Sequence, residues 1–246
     1  MQHILITGAS SGLGAALALG FASPSTRLLL TGRDAKRLSQ VVSSCEARGA
    51  TVVAAPIDVR DKEAMAAFVT SYPIDIAIAN AGISAGTAGG PESPEQTAAI
   101  FATNVQGVLN TLEPLIPQME KRRRGQMVII SSLASFKGFP GAPAYCASKA
   151  AVRYLGEAWR PLLRPLGIKV NVICPGFIRT RMTDANKFPM PLMMSPEEAA
   201  SIILRGLKQN RARIAFPWQL YAASWFIGIL PPSFVDWFIS MVPAKL

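Results

Sequence analysis

Tyr145 and Lys149 stand four positions apart in Tyr145-Cys-Ala-Ser-Lys149. On a helix that spacing puts both side chains on one face, about one turn apart. A free phenol has a pKa of about 10, too high for ready proton exchange near pH 7. A cation held within about 4–6 Å favours the phenolate and lowers that value by roughly 1–3 units. The pair can therefore form an acid/base that works near neutrality. The plainer alternative is a helix start with a half-buried Tyr and an exposed Lys. Ser131-Ser132 closes an apolar run thirteen residues before Tyr145, where a hydroxyl can meet a substrate carbonyl. Asn104 sits inside the otherwise apolar stretch Ile100–Leu115. An amide there needs partners, either as a structural bond or as part of a proton path.

Phosphate chemistry is suggested near the N-terminus. An apolar run leads into Thr7-Gly-Ala-Ser-Ser-Gly-Leu-Gly14, and an Ala/Leu-rich helical stretch follows. Gly8, Gly12 and Gly14 permit tight turns and close approach of a ligand. The helix N-terminus behind them offers free N–H groups and a positive dipole end to a phosphate. The spacing GxxxGxG is neither the common GxGxxG fingerprint nor a Walker loop. Thr31-Gly-Arg33 closes the second apolar run. Gly32 leaves no acid at that strand end for a ribose 2′-hydroxyl, and an arginine there suits a 2′-phosphate. The expected cofactor is NADP(H) in preference to NAD(H); the alternative for Arg33 is a solvated turn, and Asp34 reads as the start of the next helix. Asp58-Val59 follows the third run, where Asp58 either accepts from an adenine amino group or caps a helix over Asp61–Ala67. Asn80-Ala81-Gly82 closes the fourth run, at the carboxyl edge where ligands bind in such sheets.

The elements that must position these residues follow from apolar runs alternating with segments of helical period. The runs are His3–Thr7, Arg27–Thr31, Thr51–Pro56, Ile74–Ala79, Gln126–Ser131, Ile168–Cys174 and Arg213–Phe216. That rhythm predicts βαβ units, and the bare apolar character of the runs suits strands covered on both faces. The fold class expected is α/β: a doubly wound sheet of about seven parallel strands. In 246 residues, 50 % hydrophobic and only 16 % charged, one large domain is expected rather than two small ones or a disordered chain. Residues 1–216 form the expected dinucleotide-binding and catalytic domain, and 217–246 an apolar helical extension of it. Long loops are expected near Ala85–Pro94 and Met182–Pro196, both rich in Gly, Pro, Met and Ser. Cys45, Cys146 and Cys174 are sparse and unclustered, and His3 is the only histidine, so no metal site is expected. The thiols read as reduced in a cytoplasmic protein. A first strand beginning almost at Met1 predicts no signal peptide. The net charge of +10 calls for an anionic partner without naming it.

Taken in order, TGASSGLG, NAG at 80–82, Asn104, Ser132, YCASK and Pro175-Gly176 resemble the short-chain dehydrogenase/reductase family, in its single-domain branch. The resemblance covers about Gln2 to Leu207. It implies a Rossmann sheet binding a nicotinamide cofactor. By that resemblance Tyr145 is the catalytic acid/base, and Lys149 binds the nicotinamide ribose and lowers the phenol's pKa. Ser132 holds the carbonyl or alcohol oxygen, and Asn104 anchors a water in the proton relay. Gly8, Ser10, Ser11, Gly12, Leu13 and Gly14 match the pyrophosphate loop, Asp58 and Val59 the adenine pocket, and Asn80, with Ala81 and Gly82, the sheet edge beside the cofactor. Pro175, Gly176, Ile178 and Thr180 match the segment that grips the nicotinamide amide. The implied reaction is hydride transfer between a carbonyl/alcohol pair and the nicotinamide. A non-catalytic dinucleotide-binding regulator is the rival reading, and a tuned phenol speaks against it.

The C-terminus departs from the family, many of whose members end in a strand and a Gly-rich tail that builds a tetramer. Here Pro217–Leu230 and the residues after Pro231-Pro232 read as two short amphipathic helices, too short to span a bilayer. Trp218, Tyr221, Trp225 and Ile229 would line one face of the first, and Phe234, Phe238 and Met241 one face of the second. Those faces either close over the substrate pocket, pack in a homodimer, or dock peripherally on the inner face of a membrane. Met182, Phe188, Met190, Met193 and Met194 fall where the family keeps its substrate lid. They suit an apolar substrate such as an acyl chain, sterol or aromatic ketone, or ordinary packing. A membrane-associated reductase of 3-keto lipids is a variant of the same reading. Lys121-Arg-Arg-Arg124 reads as a solvated helix end, and nothing else points to nucleic acid.

Overall fold

The apolar runs do become strands. The structure, a computed structural model, describes residues 1–85, 92–184, 189–231, 233 and 235. Its strands are β1 (Gln2–Ile6), β2 (Thr26–Thr31), β3 (Thr51–Ala55), β4 (Ile76–Ala79), β5 (Gly125–Ile130), β6 (Ile168–Pro175) and β7 (Arg213–Phe216). They form one seven-stranded parallel sheet in the order β3-β2-β1-β4-β5-β6-β7. The strand order reverses between β1 and β4, the switch point where such sheets bind ligands.

Helices α1 (Gly12–Phe21), α2 (Ala35–Glu46), α3 (Lys62–Thr70), α4 (Pro94–Phe101), α5 (Gly107–Leu112) and α6 (Ile116–Lys121) precede β5, and α7 (Pro143–Leu163) follows it. The short α8 (Arg181–Asp184), then α9 (Pro196–Lys208) and α10 (Trp218–Ile229) complete the described set. Side chains alternate across the pleat and build two cores. Ile4, Ile6, Leu28, Leu30, Ile76, Ile78 and Val128 face α1, α2 and α9. Leu5, Leu29, Ala77, Met127 and Ile129 face the layer of α3, α5, α6 and α7. Each such buried Leu or Ile contributes about 1.5–3 kcal/mol, which is why bare apolar runs suffice to fix the strands.

Local caps set the register of several helices. Asp34 caps α2 by accepting from the Arg37 N–H at 2.9 Å. Asp61, not Asp58, caps α3, accepting from the Ala64 N–H at 2.9 Å. Asp58 is taken instead by Arg60, which reaches it through side chain and backbone. The segment after β6 contains α8 and an isolated bridge between Ile178 and Met194, so it is less irregular than expected. The basic run makes specific contacts as well. Arg122 donates to the carbonyls of Pro73 and Ile74, and Arg124 pairs with Asp75 at 2.7 Å. Lys121, Arg123 and Arg124 stand exposed at the end of α6 as expected, while Arg122 and Arg124 also brace the start of β4.

The first C-terminal helix exists as α10, but its faces divide differently. Tyr221 turns inward with Leu220, whereas Trp218, Trp225 and Ile229 point outward together with Phe226. Phe188, Phe234, Phe238 and Met241 lie outside the described residues. Among the described residues no helix is long and apolar enough to cross a membrane.

Candidate active site

β1 delivers the glycine loop to the carboxyl edge of the sheet. Gly8 and Gly12 adopt φ of 65° and 55°, where a side chain is strained. A Cβ on Gly14 would lie 2.3 Å from the Gly8 carbonyl oxygen and 2.6 Å from Asn80 Nδ2. The loop is therefore a cradle with no room for side chains. Ser10 is half-buried beside Gly32, Ser11 is exposed, and Leu13 points into the core. Ser11 leaves the α1 N-terminus without a side-chain cap. Its first-turn N–H groups are thus presented as a phosphate site needs them.

Asn80 holds this loop rather than merely standing beside it. Its Nδ2 donates to the Thr7 carbonyl at 2.9 Å and the Gly8 carbonyl at 3.3 Å. Thr7 Oγ1 in turn accepts from the N–H groups of Asn80 and Ala81, at 3.0 and 3.1 Å. Thr180 closes the other side, since a Cβ on Gly12 would meet its Cγ2 at 2.9 Å. Pro175 ends β6, the Gly176 N–H bonds the Phe216 carbonyl at 2.7 Å, and Ile178 is buried. At the end of β2, Arg33 is exposed, and Asp34 is committed to α2 and to Arg37. Val59 packs in the core against Gly107, and its carbonyl accepts from Asn110.

The reacting groups meet where β5 ends beside the first turns of α7. Ser132 follows β5, its Oγ accepts from the Ala134 N–H at 3.1 Å, and its hydroxyl is near enough to the Tyr145 phenol to favour the phenolate. Lys149 Nζ lies 5.9 Å from the Tyr145 ring centroid and donates to the Ile130 carbonyl at 2.9 Å. Only 5 % of Lys149 is exposed, and burial pulls its ammonium down to about 8. Burial also pushes the Tyr145 phenol above the ordinary value, with the Ser132 hydroxyl acting against it. In the protein alone the net shift is thus upward rather than the expected acidification, because a low-dielectric site disfavours the phenolate.

Asn104 is 0 % exposed and lies in a π-helical turn, Ala102–Gln106, between α4 and α5. Its Oδ1 accepts from the Ile83 N–H at 2.8 Å. Its Nδ2 donates to the Ile83 carbonyl at 2.9 Å and to Ser148 Oγ at 3.0 Å. Both amide hydrogens are therefore spent on protein groups. A Cβ on Gly82 would lie 3.2 Å from Asn104 Oδ1 and 3.3 Å from Lys149 Nζ, so the three border one gap.

Sequence reasoning missed several residues here. Thr7 latches Asn80, Ser131 Oγ donates to the Lys149 carbonyl at 2.7 Å, and Ser148 receives Asn104. Glu92 accepts from the first N–H groups of α7. Only Glu92 had a nearby signal: Ser93-Pro-Glu-Gln96 has the form of a capping box and forms one.

Three comparisons bear on this geometry. The profile of a family described as short chain dehydrogenase matches residues 2–189. An uncharacterized oxidoreductase of Myxococcus xanthus is 37 % identical over 238 residues, covering 94 % of each chain. A solved short-chain dehydrogenase from Sphingobium yanoikuyae, in complex with NADPH, superposes with a TM-score of 0.83 at 26 % identity, covering 99 % of this chain and 97 % of that one. A 3-oxoacyl-[acyl-carrier protein] reductase from Brucella melitensis with bound NAD gives a TM-score of 0.76 at 27 % identity, covering 87 % and 89 %.

Proposed function

The chain belongs to the short-chain dehydrogenase family, and from that premise we propose an NADP(H)-dependent oxidoreductase acting on the carbonyl/alcohol pair of an apolar substrate. The observation that carries this is the meeting, at the end of β5, of the Tyr145 phenol, the Ser132 hydroxyl that pulls against its burial, and the Lys149 ammonium 5.9 Å from its ring.

The residues present fit a nicotinamide dinucleotide. Gly8, Ser10, Ser11, Gly12 and Gly14 would hold the pyrophosphate, because a Cβ at Gly14 would fill the cradle. Asp58 and Val59 would border the adenine, Asn80 to Gly82 and Lys149 the ribose, and Pro175 to Thr180 the nicotinamide amide. Once bound, the cofactor supplies or accepts the hydride at the substrate carbon. The chain's own residues handle the oxygen and its proton. Ser132 donates a hydrogen bond to the substrate oxygen and stabilises the charge that develops on it. Tyr145 gives that oxygen a proton in reduction and takes it back in oxidation. A phenol raised by burial carries its proton at neutral pH, the form that can protonate the oxygen in reduction. Lys149, at about 8, remains mostly cationic at neutral pH and supports the tyrosinate left behind.

NADP(H) over NAD(H) is favoured by Arg33, exposed where Asp34 has no free carboxylate for a ribose diol. An apolar substrate is favoured by Met182 and Leu192, exposed beside the Ile178–Met194 bridge. The similarity to a 3-oxoacyl-[acyl-carrier protein] reductase of Brucella melitensis adds 3-oxoacyl thioesters to the ketones worth testing. A homodimer is favoured by the outer face of α7, where Tyr154 and Leu162 stand exposed.

The test is a ketone panel of acyl thioesters, sterols and aromatic ketones, with NADPH and NADH side by side, read by nicotinamide absorbance. Tyr145→Phe should lower turnover by roughly 10²–10⁴ on the best substrate while leaving NADPH binding intact. Near-normal turnover in that variant, or faster reaction with NADH, contradicts the catalytic or the cofactor assignment respectively.

A further inference from the structure

Helix α7 carries both Tyr145 and Lys149, yet its own N-cap residue, Ala142, makes no side-chain cap. The first N–H groups of a helix have no partner within it, so each can be traced here. The Ala142 N–H bonds the Phe139 carbonyl at 3.0 Å. Pro143 has none to offer. The Cys146 N–H makes the first intrahelical bond, to the Ala142 carbonyl at 3.0 Å. The two left over belong to Ala144 and to Tyr145 itself, and both donate to the carboxylate of Glu92, the second at 3.3 Å. Glu92 comes from more than fifty residues earlier in the chain.

We infer that Glu92 is a positioning residue for the reaction: a cap supplied from another element, which fixes the turn of α7 that aims the Tyr145 phenol. The inference rests on the catalytic reading of Tyr145 given above. A carboxylate at a helix N-terminus also meets the positive end of the helix dipole, so the hold is electrostatic as well as directional. Glu92 adjoins Ser93, the N-cap of α4, whose capping box with Gln96 makes the arm's start rigid. The same arm runs through the π-turn to Asn104, which bonds Ser148 on α7 at 3.0 Å. One arm therefore grips α7 at two levels about a turn apart, at Ala144–Tyr145 and at Ser148. Two grips fix rotation about the helix axis, which one would leave open.

The test compares Glu92→Ala and Glu92→Gln with the full-length wild type and with Tyr145→Phe. Glu92→Ala should lower kcat about tenfold, as small misplacements of a reacting group do, with KM for NADPH within about twofold. Glu92→Gln keeps an acceptor oxygen and should recover at least about a third of the lost turnover. Amide hydrogen exchange at Ala144 and Tyr145 should quicken in Glu92→Ala while the middle of α7 is unchanged. Wild-type kcat in Glu92→Ala, alongside an inactive Tyr145→Phe, overturns the positioning role alone. An active Tyr145→Phe overturns the catalytic reading instead, and unchanged exchange at Ala144 and Tyr145 overturns the cap whatever the activities are.

Discussion

Lys149 is the residue whose environment has the clearest measurable consequence. Burial lowers its pKa from 10.5 to about 8. Below pH ~8 both folded and unfolded chains carry its proton, so it adds no slope to stability there. Between about pH 8 and 10.5 the unfolded chain holds a proton that the folded chain has released, so this group makes stability rise with pH. Cys45 and Cys174 act in the opposite sense. Burial raises both thiols to about 11, and the folded chain then keeps protons that the unfolded chain loses above about 9. The Lys149 contribution is therefore read as a difference. Denaturation midpoints of wild type and Lys149→Met, measured without cofactor at pH 8 and 9, should show wild type gaining on the variant as pH rises. Parallel curves would mean that the ammonium is not desolvated in the folded protein. This residue also marks a limit of sequence reading. The Tyr145/Lys149 spacing reveals the pair, but the sign of each shift depends on what buries it, and that comes from β5 and α4 far along the chain.

At the scale of elements, local signals read well and distant partners did not. All seven strands fall within two residues of the apolar runs, because a strand covered on both faces needs little more than a bare apolar stretch. The glycine loop and the Asp34 cap were legible for the same local reason. Which aspartate caps α3 was not, since Asp61 takes that place and Arg60 takes Asp58. The π-turn at Ala102–Gln106 was not legible either, because an i→i+5 bond leaves no compositional trace. That turn gives Asn104 its place, and a prediction belongs to it. Asn104→Ala would leave the Ile83 N–H and the Ile83 carbonyl without this partner, while the Ser148 hydroxyl keeps its bond to the Tyr145 carbonyl. Each buried polar group left unpaired costs about 1–3 kcal/mol. In a chain of this size each kcal/mol moves the midpoint by roughly 2–4 °C, so thermal unfolding should fall by at least ~4 °C. Asn104→Asp keeps only the acceptor and should lie between. A midpoint unchanged in Asn104→Ala would mean that solvent replaces the lost partners and that the turn does not depend on the amide.

For the molecule as a whole, α10 is the element whose service to a site built by the rest of the chain needs an argument. Leu220 and Tyr221 of α10 pack with Leu133, Val172 and Cys174, and the Tyr221 ring meets Phe136 edge-on at 5.5 Å. The Tyr221 hydroxyl accepts from Arg213 of β7 at 3.0 Å, and Arg213 pairs with Glu157 of α7. At the helix's start, Gly176, just after β6, lies against Pro217 and Leu220. The inward half of α10 thus packs on β6, β7 and the turn after Ser132. Trp218, 72 % exposed, stands on the outward half. Gly228 is the point of closest approach: a Cβ there would lie 2.6 Å from the Phe136 carbonyl oxygen, a backbone atom that cannot simply rotate away. Gly228→Ala should therefore lift the end of α10 off the turn that follows Ser132, with no contact to the glycine loop. The expected result is a KM for the apolar ketone raised about three- to tenfold, equivalent to roughly 0.7–1.4 kcal/mol. The Kd for NADPH, measured by fluorescence titration, should stay within about twofold, because helix propensity alone makes Ala the better residue in that position. Equal KM in the two proteins would place α10 outside the substrate pocket. A matched loss of cofactor affinity would mean instead that the helix supports the whole cleft rather than its substrate side.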